Sequence, residues 1–197
     1  MSTIRLFYAL DLSDETLDAL QELQQACESQ IPSGVRVRWT PRENLHLTLK
    51  FLGSMEEDLV EDLGELMDGL VGDLGPFRMR TEGIGAFPHP KRPRILWAGV
   101  DPESAAQLAT LHRRLEDELD SFDVEEDNHP FKAHITFGRI KSGKSVNLNS
   151  LRSSLPEGPF GESEIGEVVL YKSELRPEGS NYRVVYQSHL GRGDSSD

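Results

Sequence analysis

An internal duplication constrains this chain more than any other feature of its sequence. Arg5-Leu-Phe-Tyr-Ala-Leu-Asp11 is a short run of aromatic and apolar residues ending in an acid, and Arg94-Ile-Leu-Trp-Ala-Gly-Val-Asp101 repeats it. Both read as strands that feed helices. Ser13 caps the first predicted helix, whose apolar residues Leu17, Leu20, Leu23 and Cys27 recur at helical spacing up to the break at Pro32-Ser33-Gly34. Asp101-Pro102-Glu103 caps the second, which carries Leu108, Leu111, Leu115 and Leu119 on one stripe and ends near Phe122. Next come His46-Leu47-Thr48-Leu49 and His134-Ile135-Thr136-Phe137, each alternating as a strand does. The order and spacing of strand, helix and histidine strand recur with a period near 89 residues. Each half continues with a predicted helix, strong at 55–74 and weaker at 146–155, and further strands are expected at 76–87, 164–171 and 181–189.

Two copies of strand, helix, strand, helix, strand imply an α+β protein with a bilobal, duplicated fold. Two antiparallel sheets are expected, with helices outside and a central cleft between lobes related by a pseudo-twofold axis. Residues 1–190 then form one bilobal domain with repeat halves of about 1–88 and 89–190, the loop 87–94 is the junction, and 191–197 is a mobile tail. A chain of 197 residues is long enough to bury a sizeable core in one domain.

Composition narrows the function. The single cysteine, Cys27, excludes an internal disulfide framework and a zinc ribbon and fits a reducing cytoplasm. No apolar run approaches a membrane span, and the start of the chain lacks the pattern of a signal peptide, so a cytoplasmic protein is expected. The net charge of −13 argues against long duplex DNA as a partner, which demands a broad basic surface. A small anion site remains open. Residues 54–75 hold eight acids and no Lys or Arg, as solvated helix faces do, whereas 36–50 hold Arg36, Arg38, Arg42 and Lys50 against Glu43 alone.

Within a strand the side chains at i and i+2 share a face, so His46 pairs with Thr48 and His134 with Thr136, while Leu47, Leu49, Ile135 and Phe137 point to the core. Six histidines and seven threonines in this length give about 0.2 His-x-Thr triplets by chance, so two at matching places in a repeat form a motif. Facing lobes would gather two imidazoles and two hydroxyls around one cavity. That set suits in-line displacement at phosphorus: one histidine as base, the other as acid, and each hydroxyl donating to a non-bridging oxygen. No metal or other cofactor is required.

These residues resemble the two-histidine phosphoesterase superfamily, and within it the RNA 2',3'-cyclic phosphodiesterases first described as 2'-5' RNA ligases. The resemblance spans nearly the whole chain: Arg5-Leu-Phe-Tyr-Ala-Leu10, Trp39-Thr-Pro-Arg-Glu-Asn-Leu-His-Leu-Thr-Leu-Lys-Phe-Leu-Gly53, Phe87-Pro88 with Arg92-Pro-Arg-Ile-Leu-Trp97, and Phe131-Lys-Ala-His-Ile-Thr-Phe-Gly-Arg139. Ala133 departs from it, standing where proline is expected before the second histidine. The resemblance implies hydrolysis of a 2',3'-cyclic phosphate to a 2'-phosphomonoester, with His46 protonating the departing 3'-oxygen and His134 activating water. The sequence itself does not order the two roles.

Lys50, at i+4 from His46 on a regular strand, would share the histidine's face and meet the phosphate. Arg139, at i+5 from His134, is a candidate phosphate ligand but would face away unless Gly138 permits a bulge. Phe7, Trp39, Trp97, Phe131 and Tyr182 are candidate base-stacking platforms. His112, beside Leu111 on a helix, reads as a surface residue. The expected partners are RNA with 2',3'-cyclic phosphate ends or small cyclic nucleotides, with neither duplex DNA nor membrane, and nothing requires more than a monomer. Competing readings are reversible 2'-5' RNA ligation or 2'-5' phosphodiester cleavage by the same histidines, an RNA-end-binding module, which would not need both histidines, and a metal hydrolase, for which no H-E-x-x-H is present.

Overall fold

The computed structural model describes residues 2–142, 146–177 and 179–191, and the predicted tail beyond Gly191 lies outside them. Its elements are β1 (Thr3–Leu10), α1 (Asp14–Gln30), β2 (Arg36–Trp39), β3 (Leu47–Glu56), α2 (Val60–Val71), β4 (Phe77–Phe87), β5 (Ile95–Val100), α3 (Pro102–Leu119), β6 (Ile135–Ser142), α4 (Leu148–Leu151), β7 (Glu162–Ile165), β8 (Glu167–Arg176) and β9 (Gly179–His189). The helices begin where their caps put them. The Ser13 hydroxyl accepts from the Thr16 N–H, and the Asp101 carboxylate accepts from the Ser104 N–H.

The strands run antiparallel in the order β9-β8-β1-β3-β6-β5-β4-β7, with β2 also paired to β6. Among the described residues the strands form one nine-stranded sheet rather than the two expected, and its halves β9-β8-β1-β3 and β6-β5-β4-β7 are joined by the single pair Leu47–Ile135. Beyond that pair β2 takes up β6, with Trp39 opposite Gly138 and Arg38 opposite Arg139. The two lobes also exchange strands. β4 ends the first repeat but pairs with β5 of the second, and β8 from the second repeat pairs with β1 of the first. Each lobe is therefore built from both repeats. One core results, in which Leu20 and Leu23 of α1, Leu63 and Met67 of α2 and Leu108 and Leu115 of α3 are buried with Leu47, Ile135 and Phe137.

β2 has no counterpart in the sequence expectation, and three expected elements differ in extent. The helix expected at 55–74 is shorter, because Met55 and Glu56 pair with Ile4 and Thr3 and so belong to β3. The one expected at 146–155 is a single turn, α4, followed by a 3-10 turn at Arg152–Ser154; Ser150, Ser153 and Ser154 favour the helix weakly, and Pro156 closes it. The strand expected at 164–171 breaks at Gly166, so that β7 pairs with β4 in one lobe and β8 with β1 in the other. No helix among the described residues is long and apolar enough to cross a membrane.

Candidate active site

The pair that joins the two halves of the sheet also gathers the histidines. Leu47 and Ile135 are fully buried on the core side. Continuing their antiparallel register sets His46 across from Thr136 and Thr48 across from His134, all on the opposite face. The four side chains line one cleft of about 1140 Å³. Each histidine sits in the residue just before its strand rather than within it.

Both imidazoles are held alike. Nδ1 of His46 lies 2.8 Å from the Asn44 carbonyl oxygen, and Nδ1 of His134 lies 2.7 Å from that of Lys132. A carbonyl only accepts, so each Nδ1 carries the proton and each neutral ring keeps its lone pair at Nε2. The Thr48 hydroxyl, 3.0 Å from the His46 Nε2, donates to it. Burial pushes His46 down to about 4, the Asn44 bond opposing and the charge of His134 adding to the shift. His134 is also lowered, first by burial and then by the charges of Arg139 and Lys132, against the pull of the Lys132 carbonyl. In the free protein at neutral pH both rings are therefore uncharged.

The strands beyond the motifs do not keep a regular alternation. Against β1, Ala9 faces Thr48 and Tyr8 faces Lys50, so Leu49 is an extra residue. Against β5, Trp97 faces Thr136 and Leu96 faces Gly138, so Phe137 is extra. Both motif strands thus carry a bulge at the same place, one residue after the threonine. The bulge brings Arg139 to the cleft, as the sequence allowed for. It also overturns the regular-strand placement of Lys50. Lys50 lies opposite Tyr8, a core residue, and its side chain is wholly buried. Its ammonium pairs with Glu116 at 2.6 Å and Asp127 at 3.3 Å and donates to the Glu125 carbonyl at 2.8 Å, three partners for its three N–H groups at the floor of the cleft.

A family model, the LigT-like phosphoesterases, matches residues 10–97 and 99–182. The chain belongs to that family. It is 33% identical to the RNA 2',3'-cyclic phosphodiesterase of Archaeoglobus fulgidus, over 91% of this chain and 97% of that one. It is also 33% identical to the protein of the same name from Thermus thermophilus, over 97% and 92%. Among solved structures, TT0787 of Thermus thermophilus superimposes with a TM-score of 0.79 at 31% identity, covering 97% of this chain and all of that one. Escherichia coli LigT bound to 3'-AMP shares the fold, with a TM-score of 0.70 at 23% identity over 96% and 99%.

In this LigT-like phosphoesterase the two imidazoles have unlike neighbours. His46 lies against Phe7, at 5.1 Å between ring centres, and edge-on to Tyr182 at 5.4 Å. Phe7 is itself buried beneath Phe51, Tyr171 and Tyr182, so it supports the wall rather than forming its surface. Phe51 is 63% exposed and lines the cleft. It stands five residues after His46 as Arg139 stands five after His134, a correspondence within the repeat that would have marked it. His134 lies edge-on to Phe87 and near Trp97, over which the Lys132 ammonium sits at 4.7 Å. Trp39 stacks on Phe137, and Phe131 stacks on His112 at 4.5 Å. His112 is thus buried, not a surface residue, because Phe131 covers it.

Asn44 is a further site residue that the sequence reading missed. Its carbonyl holds His46, and its side-chain amide donates to the Ser180 carbonyl at 2.8 Å, fixing the start of β9 over the cleft. Ala133 is buried, and its position still delivers the Lys132 carbonyl to His134. Among the described residues His112, Glu116 and Asp127 bring potential metal ligands within 4.8 Å of one another, but the Lys50 ammonium already pairs with both carboxylates and opposes a cation there.

Proposed function

We propose that this protein hydrolyses 2',3'-cyclic phosphate ends of RNA or of nucleotides to 2'-phosphomonoesters, using His46 and His134 as its acid and base and no metal. The observation that carries this reading is the pair of imidazoles on one cleft, each with Nδ1 tied to a carbonyl two residues earlier and Nε2 left for the reaction. Its relatives bear the name of that activity, and a neighbour in fold binds a nucleotide.

Water attacks phosphorus while His134 Nε2 takes its proton; the bond to the 3'-oxygen breaks, and His46, protonated on Nε2, delivers a proton to that oxygen. Burial first, and then the charges of Arg139 and Lys132, hold His134 neutral, as a base requires. His46 is held down first by burial and last by the charge of His134, and an arriving phosphate monoanion raises its proton affinity, so that the protonated ring serves as the acid. Thr48 and Thr136 donate to the non-bridging oxygens, and Arg139 adds a charge-assisted contact. The ligation reading uses the same histidines by microscopic reversibility. The test is incubation with a 2',3'-cyclic nucleotide and with a 2'-5' linked dinucleotide in excess EDTA. The expected product is the 2'-nucleotide from the cyclic substrate. Activity that is lost in EDTA and returns only with a divalent ion would overturn the metal-free assignment.

A further inference from the structure

Lys50 stands apart from the other described cations of the cleft, because it is drawn wholly into the protein beneath the motif. A buried ammonium persists only where anionic and carbonyl partners replace its water. Here those partners come from two places: Glu116 on α3, and Glu125 and Asp127 on the segment between α3 and β6. That segment has no regular structure between Asp123 and His134, so side chains must hold it. Asp127 is held a second time by His112, whose Nε2 lies 3.1 Å from its carboxylate, and Phe131 is held by its stack on the same imidazole. One residue further, the Lys132 carbonyl accepts the Nδ1 proton of His134. The contacts run without a gap from the strand of the first motif to the ring of the second.

We infer that Lys50 is a positioning residue: it anchors the segment 125–132 to β3 and thereby fixes the orientation and tautomer of His134. The inference rests on the two-histidine reading above. It assigns the ammonium, whose partners are already two carboxylates and a carbonyl, to a structural link between the two motifs in place of a phosphate contact. The bulge at Leu49 makes the link available by turning Lys50 to the core side, opposite Tyr8.

The test compares K50M, D127N and the double variant, with kcat and KM measured on a 2',3'-cyclic nucleotide and the His134 tautomer read from long-range proton–nitrogen NMR of the imidazoles. A displacement of the base on the order of 1 Å costs about 10²-fold in rate, so K50M should lose roughly that factor in kcat with KM nearly unchanged. D127N should fall in the same direction, the double variant should be no worse than K50M, and His134 should lose its defined Nδ1–H form in each. A raised KM in K50M, with D127N at wild-type activity, would mean that Lys50 binds phosphate, and the inference would fall. Wild-type kcat together with an unchanged tautomer in K50M would also overturn it. Should K50M not fold, D127N decides alone, since Asp127 is half-exposed and tolerates the change: lost kcat and a lost tautomer support the inference, and wild-type values refute it. Failure of the two-histidine reading looks different, since there the His46 and His134 variants stay active while the tautomer signal still reports on Lys50.

Discussion

β3 and β6 carry the same triplet, the same bulge after its threonine and the same carbonyl clamp two residues before its histidine, yet unlike chemistry surrounds them. The position five residues past the histidine is Phe51 on β3 and Arg139 on β6, and both line the cleft. Behind His46 stand Phe7, Tyr171 and Tyr182; His134 also has aromatic neighbours, Phe87 and Trp97, but beside it stand the cations Arg139 and Lys132. Duplication thus supplies an equivalent pair of reacting groups, and divergence supplies a direction. The aromatic wall suits the face of a nucleobase, and the cationic wall suits phosphate.

The equivalence is tested first, and with the largest effect. His46→Ala and His134→Ala should each lower kcat by about 10²–10⁴-fold with the fold intact, and the double variant should be little worse than either, because acid and base act in one step. A single inactive variant beside a nearly active one would show that only one lobe reacts. The threonines come next. Thr48→Val and Thr136→Val should cost up to about 10²–10³-fold if each hydroxyl meets developing charge, and less if solvated. Thr48 should matter more, since its oxygen also lies 3.0 Å from the His46 Nε2 and accepts from that nitrogen once the ring is protonated. Kinetics of the two variants side by side check that order.

The divergence has a smaller and more selective signature. Arg139→Met and Phe51→Ala should each raise KM about tenfold, the size of one charge-assisted contact or one lost stack. Only the arginine effect should shrink as salt rises, because screening weakens a phosphate contact and leaves stacking untouched. Equal salt dependence of the two would remove the assignment of the walls.

The sequence carried the duplication plainly, since equal spacing from strand to His-x-Thr needs no tertiary knowledge. It also carried the core face, because Leu47 and Ile135 alternate with the motif residues. Three things lay outside its reach. Repeats of identical order can pair within themselves or across, so the exchange of β4 and β8 leaves no mark in the pattern. A bulge inserts one residue without any required side chain, so the fate of Lys50 could not be read from alternation, and that of Arg139 only conditionally through Gly138. The clamps on His46 and His134 are backbone carbonyls, and every residue has one.

The claim that the two imidazoles share a single proton is tested most directly by the pH dependence of kcat/KM on a 2',3'-cyclic nucleotide. This ratio reports the free enzyme, in which His46 titrates at about 4 and His134 below its ordinary value. The reactive form holds one proton across the pair. It disappears as pH falls through the lower value, when both rings are charged, and as pH rises through the upper value, when neither is. The profile should therefore be a bell with its maximum on the acid side of about 6.5, the ordinary histidine value. The optimum of kcat should lie higher, because bound phosphate raises both values. A profile of kcat/KM that climbs to a plateau and stays level up to the pH at which the protein unfolds would show that no protonated histidine takes part, and His46 would lose its place as the acid.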